Sequence, residues 1–248
     1  MNKSVADKMI VVEAAATALE RLREARPRVH AIMNTVVQKL VADGLSALGA
    51  IPSMTMSQEE IADFVAKADA LAVNLGTLDE ARRAAIRLAL NAANAKAMPW
   101  ALDPAHCDYS PPRATFAQEL LSQNPAVLRA NAAEHQLLQV PENVVSVRTG
   151  EIDHVMFAGQ LLAVENGHPW TAVVTGTGCL SGAIVAAFLA VEKDAFVAAS
   201  AAMLVTGVAA ELAASQARGP GSFEPAFLDA LAALRPDDLL HHAKVRHE

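Results

Sequence analysis

The sequence predicts an α/β fold built on a mainly parallel sheet, and three observations carry that prediction. Short apolar, β-branched runs alternate with helical segments along most of the chain, joined by short connections. Alanine, valine and leucine supply the apolar mass, 53% hydrophobic residues against 4% aromatic, which suits helices packed closely on a buried sheet. Polar residues gather where the strand segments end, the rim on which open α/β sheets bind ligands. No linker or fixed-period repeat divides the 248 residues, so residues 1–248 read as one domain.

Each element has a local reason. Residues 4–25 place Ile10, Val11, Ala14, Ala15, Ala18 and Leu22 near one helical face, and Pro27 ends the segment. Residues 28–37 read as a strand entering a loop, and Gln38–Leu48 as a helix closed by Gly49. Residues 50–55 are extended and broken by Pro52; Ser57 and Glu60 then have capping-box spacing for a helix reaching about Lys67. Strands follow at 70–77, 99–104, 126–131 and 143–150, with helices at 79–97 and 116–122 between them. Residues 154–157 and 160–164 form an edge hairpin around Gly159, and Ala172–Thr175 has the composition of a buried strand. Helices at 181–191, 195–217 and 225–234 complete the chain, the second stopped by Gly219-Pro-Gly221, with a polar tail after Pro236.

Composition excludes several classes of function. A net charge of −7 with an isoelectric point near 5.6 argues against nucleic acid as a partner, because phosphate backbones need a basic face. Two cysteines, Cys107 and Cys179, far apart in a chain this long, fit a reducing cytoplasm rather than a disulfide framework. Lys3, Asp7, Lys8 and Glu13 argue against a signal peptide. The apolar run 195–210 is flanked by charge and too short to span a bilayer, so no membrane is expected as a partner.

The candidate site centres on Thr175-Gly-Thr-Gly-Cys179. Two glycines at alternate positions before an apolar helix let a ligand approach the main chain. The helix N-terminus adds unpaired N–H groups and a favourable dipole for an anion, and the same field would lower the pKa of a thiol at Cys179. Around it, the strand segments end on Asn34, on Asn74 and Thr77, on Asp103, on Arg129 with Asn131 and Glu134, and on Thr149 with Glu151 and Asp153. Asp103 and Glu134 suit magnesium, which takes one or two carboxylates with phosphate oxygens, although a turn residue and a helix first-turn acid are equally good readings of them. Arg129 could neutralise nucleotide phosphate or pair with one of those acids. His106-Cys107-Asp108 lacks the paired spacing of a structural zinc site.

Several motifs give the chain a family resemblance. They are Val29-His30 with Asn34, Gly49-Ala50 with Pro52-Ser-Met54, Asn74-Leu-Gly-Thr-Leu78, Leu102-Asp-Pro104 and Arg113. They continue with Arg129-x-Asn131-x-x-Glu134, Thr149-Gly-Glu-x-Asp153, Gly167-His-Pro169, Thr175–Cys179 and Gly219-Pro-Gly-Ser-Phe223. The sequence resembles hydroxyethylthiazole kinases of the ribokinase-like superfamily, nearly end to end. That resemblance implies a three-layer ribokinase-like fold and ATP-dependent phosphorylation of the hydroxyl of 4-methyl-5-(2-hydroxyethyl)thiazole, or a related heterocyclic alcohol, in thiamine salvage. It implies ATP and Mg2+, a cytoplasmic location, and a homotrimer with sites between subunits. Carried over by position, Met54, Gly176 and Asn34 would contact the substrate; Arg129, Thr149 and Gly178 would bind ATP; Asp103 and Glu134 would hold the metal; and Cys179 and Asp103 would be catalytic.

The sequence also departs from the family pattern. Met33, Lys39 and Asp43 replace a hydroxyl and two amides around the expected pocket, and Ala130 replaces a glycine beside the expected phosphate path. The segment between Glu134 and Thr149 is short, and Met156-Phe-Ala158 stands where an aspartate is usual. These changes support an alternative, a ribokinase-like protein that binds a small ligand without phosphoryl transfer.

Overall fold

The structure is a computed structural model that describes residues 3–247. Six parallel strands come first: β1 (Arg28–Ile32), β2 (Ile51–Ser53), β3 (Ala70–Asn74), β4 (Trp100–Asp103), β5 (Val127–Asn131) and β6 (Val145–Thr149). Three antiparallel strands extend the sheet: β7 (Asp153–Phe157), β8 (Gln160–Val164) and β9 (Val245–His247). Their order across the sheet is β2-β1-β3-β4-β5-β6-β7-β8-β9. The chain therefore passes from β1 outward to β2 and returns across β1 to β3. That reversal makes a topological switch point between β1 and β3, where open α/β sheets leave a crevice for ligands.

Helices cover both faces. On one side lie α1 (Lys3–Ala25), α2 (Gln38–Leu48), α8 (Thr177–Leu189), α9 (Ala195–Gln216), α10 (Pro220–Ala233) and α11 (Pro236–His242). On the other lie α3 (Ile61–Ala66), α4 (Glu80–Ala95) and α5 (Pro111–Leu121). Alternation along the strands sorts the core. Ala70, Ala72, Ala101, Val127, Val145 and Val147 pack towards α8 and α9, whereas Leu71, Val73, Trp100, Leu102 and Leu128 pack towards α4 and α5. Alanine on the first face lets α8 lie close to the sheet, which is why a helix made mostly of small residues sits there.

Several local expectations are corrected. Ala172–Thr175 is not a strand; α7 (Trp170–Val173) is one helical turn and Val174–Gly176 is loop, with Val173 62% exposed. A β-branched run reads as strand only where a neighbour completes its hydrogen bonds, and none does here. The Ser57–Glu60 capping box does not form: Glu60 Oε1 accepts from Thr55 Oγ1, and α3 starts after a turn. Pro52 stays within β2, which the sheet tolerates because β2 is an edge strand. Pro220 opens α10 rather than only stopping α9, in keeping with proline at a first helical position. The tail after Pro236 folds into α11 and β9, so the β7–β8 hairpin is not the sheet edge. Ala158 and Gly159, both at positive φ, make its two-residue turn. The run beginning at Ala195 extends over 22 residues, long enough by itself to span a bilayer, but the helix is mostly buried against α1, α8 and α10.

Candidate active site

The parity that sorts the core also builds the site. Asn74, Asp103 and Arg129 fall in phase with Ala72, Ala101 and Val127, so all three are turned towards α8 at the carboxyl ends of adjacent strands. Opposite them, α8 presents Gly178 and Gly182, one turn apart. A Cβ on Gly178 would lie 2.8 Å from Arg129 Nη2, and one on Gly182 would lie 3.4 Å from Asp103 Oδ2. Only Gly178 is in close approach, to the guanidinium; a Cβ at Gly182 would make ordinary van der Waals contact with the carboxylate. Gly176, at φ 101°, makes the left-handed turn into the helix.

Cys179 lies in the first turn of α8. Its Sγ accepts from Asn34 Nδ2 at 3.4 Å and Asn74 Nδ2 at 3.3 Å, the two amides that flank the switch point. Asn34 Nδ2 also reaches Asn74 Oδ1 at 3.3 Å, which in turn accepts from Gly76 N at 2.9 Å. The expected lowering of the Cys179 pKa is reversed. Burial pushes the Cys179 thiol up to about 12, with the Asp103 carboxylate adding to the rise against Arg129 and the two amides. The helix end does not outweigh lost solvation and a neighbouring acid, so the group is a neutral thiol at neutral pH.

Asp103 is 4% exposed. Its Oδ1 accepts from Ala105 N at 3.1 Å, and Arg129 Nη1 lies 3.7 Å from Oδ2. Burial raises its pKa; Arg129 opposes the rise and Glu134 reinforces it. Oδ2 is shielded from solvent without a hydrogen-bond partner, and so is Arg129 Nε. Glu134 caps α6 (Ala132–Gln136) in a reciprocal box with Asn131 and also accepts from His106 N at 2.7 Å. One bond to each of its oxygens leaves lone pairs free. A buried carboxylate oxygen that has an ion-pair neighbour but no hydrogen bond, near a second, rigid carboxylate, fits magnesium, a hard cation that prefers oxygen donors.

The other expected residues are more dispersed. Thr149 ends β6, with Oγ1 3.4 Å from the Ala130 carbonyl. Gly176 packs against Val37 and Leu40. Met54 is half-buried just beyond β2, across β1 from the switch point. His30 holds that corner, with Nδ1 2.8 Å from Ser53 Oγ and Nε2 3.1 Å from the Thr55 carbonyl. Asn74, already among the expected strand-end polar residues but given no role there, is brought onto the Cys179 sulfur. Several of the departures have a structural place of their own. Met33 is buried in the core, Lys39 and Asp43 form an exposed ion pair at 2.5 Å, and Ala130 is buried in the α4–α5 layer away from Gly178.

A family model described as the hydroxyethylthiazole kinase family matches residues 19–141 and 135–237. The chain belongs to the hydroxyethylthiazole kinase family. It is 58% identical over 234 residues to the probable hydroxyethylthiazole kinase of Agrobacterium fabrum, covering 94% of this chain and 95% of that one. The solved hydroxyethylthiazole kinase structure from Pyrococcus horikoshii OT3 superposes with a TM-score of 0.90 at 35% identity, covering 94% of this chain and 98% of that one. A ribokinase-like superfamily protein from Enterococcus faecalis shares the fold at a TM-score of 0.57 and 17% identity, covering 84% of this chain and 88% of that one. Within the hydroxyethylthiazole kinase family match, the two segments meet at 135–141, in the stretch after Glu134 that the sequence marks as short.

If Cys179 is a neutral thiol, iodoacetamide should alkylate it slowly at pH 7 and faster only as pH rises towards about 12. Cys179→Ser should then lower kcat by less than about a hundredfold, the least that losing a general base costs. Rapid labelling at pH 7 together with a larger loss would restore the thiolate reading.

Proposed function

We propose that this chain phosphorylates the primary hydroxyl of 4-methyl-5-(2-hydroxyethyl)thiazole with ATP, in thiamine salvage, in the cytoplasm. Family membership supports the reaction class. The observation that carries the assignment is the convergence of Asn34, Asn74, Asp103 and Arg129 on the start of α8 at the switch point.

In this reading the amides at the start of α8 and the Arg129 guanidinium receive the transferring phosphoryl group, with Thr149 and Gly178 on the nucleotide side. Asp103 and Glu134 hold magnesium, which neutralises phosphate charge when bound. Asn34 and Asn74 orient the Cys179 thiol, which positions the acceptor oxygen; Met54 and Gly176 wall the heterocycle. The oxygen–phosphorus bond forms as the β–γ bridge bond breaks and ADP leaves. A loose transition state needs no prior deprotonation, so the hydroxyl proton leaves late, to an oxygen of the transferred phosphoryl group and from there to solvent, and a neutral thiol suffices.

The test is ADP release under saturating Mg-ATP. Release should depend on the thiazole alcohol and be absent with its deoxy analogue. Equal release with both would reduce the protein to an ATPase and remove the assignment. We also propose a homotrimer with sites between subunits. The family resemblance supports it, and Val36 and Val173, 72% and 62% exposed, are apolar residues such an interface could cover. Light scattering should give three times the 26.0 kDa chain mass; a monomer would refute it.

A further inference from the structure

We propose that His106, Asp108 and Glu134 form a binding site for a divalent transition-metal ion such as Mn2+ or Zn2+, beside the Asp103–Glu134 pair. The site needs no nucleotide. Each residue offers one donor, and these donor atoms all lie within 4.8 Å of one another. They come from two segments that follow adjacent strands. His106 and Asp108 belong to the 3-10 turn after β4, and Glu134 to α6 after β5.

Clustering is only one of the observations. Glu134 is 3% exposed and locked by the backbone amides of His106 and Asn131. Asp108 Oδ1 is shielded from solvent and has no hydrogen-bond partner. A carboxylate oxygen in that state has lost its water without gaining a donor, and a cation supplies what is missing. Glu134 and Asp108 are both acids, so the locality is electronegative. Arg113 is the cation that offsets this field, and its Nη1 donates to the Ala105 carbonyl. The His106 ring is exposed, so its imidazole is open to solvent and ions, and it packs edge-on against Tyr109 with centroids 5.8 Å apart. Metal–ligand bonds of about 2.0–2.2 Å require only a modest closure of the three donors.

The imidazole decides the class of ion. Magnesium takes oxygen donors and keeps its water; an imidazole with carboxylates suits zinc and manganese. Glu134 is shared with the magnesium position proposed above, and the inference rests on that reading for no other residue.

The experiment titrates Mn2+ into nucleotide-free full-length protein and follows free Mn2+ by electron paramagnetic resonance. Wild type should bind about one ion per chain, and equimolar Mg2+ should not displace it. Asp108→Asn and His106→Gly should each weaken binding at least about tenfold. Glycine is suited to position 106, whose φ is 60°, and the asparagine is isosteric, so melting curves should stay close to wild type and either variant alone decides. Asp103→Asn should leave Mn2+ binding within about threefold. Absent binding, displacement by equimolar Mg2+, or loss in Asp103→Asn with retention in the other two would each overturn the inference. The last outcome would leave the kinase assignment standing, whereas Mn2+ binding as expected without ADP release would do the reverse.

Discussion

Asparagine at position 103 is expected to lower kcat/KM by about a hundredfold to a thousandfold, the range seen when one preorganised electrostatic group is removed from a reacting centre. The substitution keeps the shape that fits beside Gly182 and removes the charge that faces Arg129 and the metal. Stability should move the other way with pH. Burial raises the Asp103 pKa despite Arg129, so the folded state holds this proton more tightly than the unfolded chain does. The carboxyl therefore costs no stability below its unfolded value near 4, and weakens the fold as pH rises through the higher folded value. An asparagine has no such titration. The melting temperature of Asp103→Asn relative to wild type should rise between about pH 4 and pH 7. A relative fall over that window would mean that the pairing with Arg129 outweighs desolvation, and the electrostatic account of the site would be wrong.

Gly178→Ala should separate nucleotide handling from folding. The added Cβ would meet Arg129 Nη2 at 2.8 Å and Nη1 at 3.3 Å. Those atoms are the far end of a flexible side chain, so the guanidinium can yield while the backbone stays. Displacement by about 1 Å at a reacting centre can cost on the order of a hundredfold. The expected result is a large loss of kcat/KM for ATP with a melting temperature within a few degrees of wild type. Full activity in Gly178→Ala would show that the guanidinium need not lie over the helix start.

Much of this layout was legible in the sequence, for a definite reason. Parallel strands ending on polar residues can be recognised by composition, and strand alternation fixes which side chains face α8. Asp103, Arg129, Gly178 and Cys179 could be named as candidates from strand ends and the glycine loop, while their roles came from the family resemblance. What escaped depends on contacts between segments distant in sequence. Nothing near Cys179 reveals that Asp103 will sit close enough to push its thiol up, or that Asn34 and Asn74, 40 residues apart, will meet on its sulfur. The Ala172–Thr175 run misled because its β-branched residues suit a strand, whereas Trp170–Val173 forms a helical turn and no strand pairs with the run. The three residues of β9 were invisible because so short a strand has no pattern; β8 creates it by pairing. Met33 and Ala130 looked like losses at the pocket, but their side chains are buried in the core.

Phosphorus NMR of the reaction mixture tests the central claim most directly. Purified protein incubated with Mg-ATP and 4-methyl-5-(2-hydroxyethyl)thiazole should yield one new phosphomonoester resonance, growing in step with ADP. Asp103→Asn should suppress both signals. No new resonance while ATP persists, or inorganic phosphate as the sole product, would contradict the assignment of this rim as a phosphotransferase site.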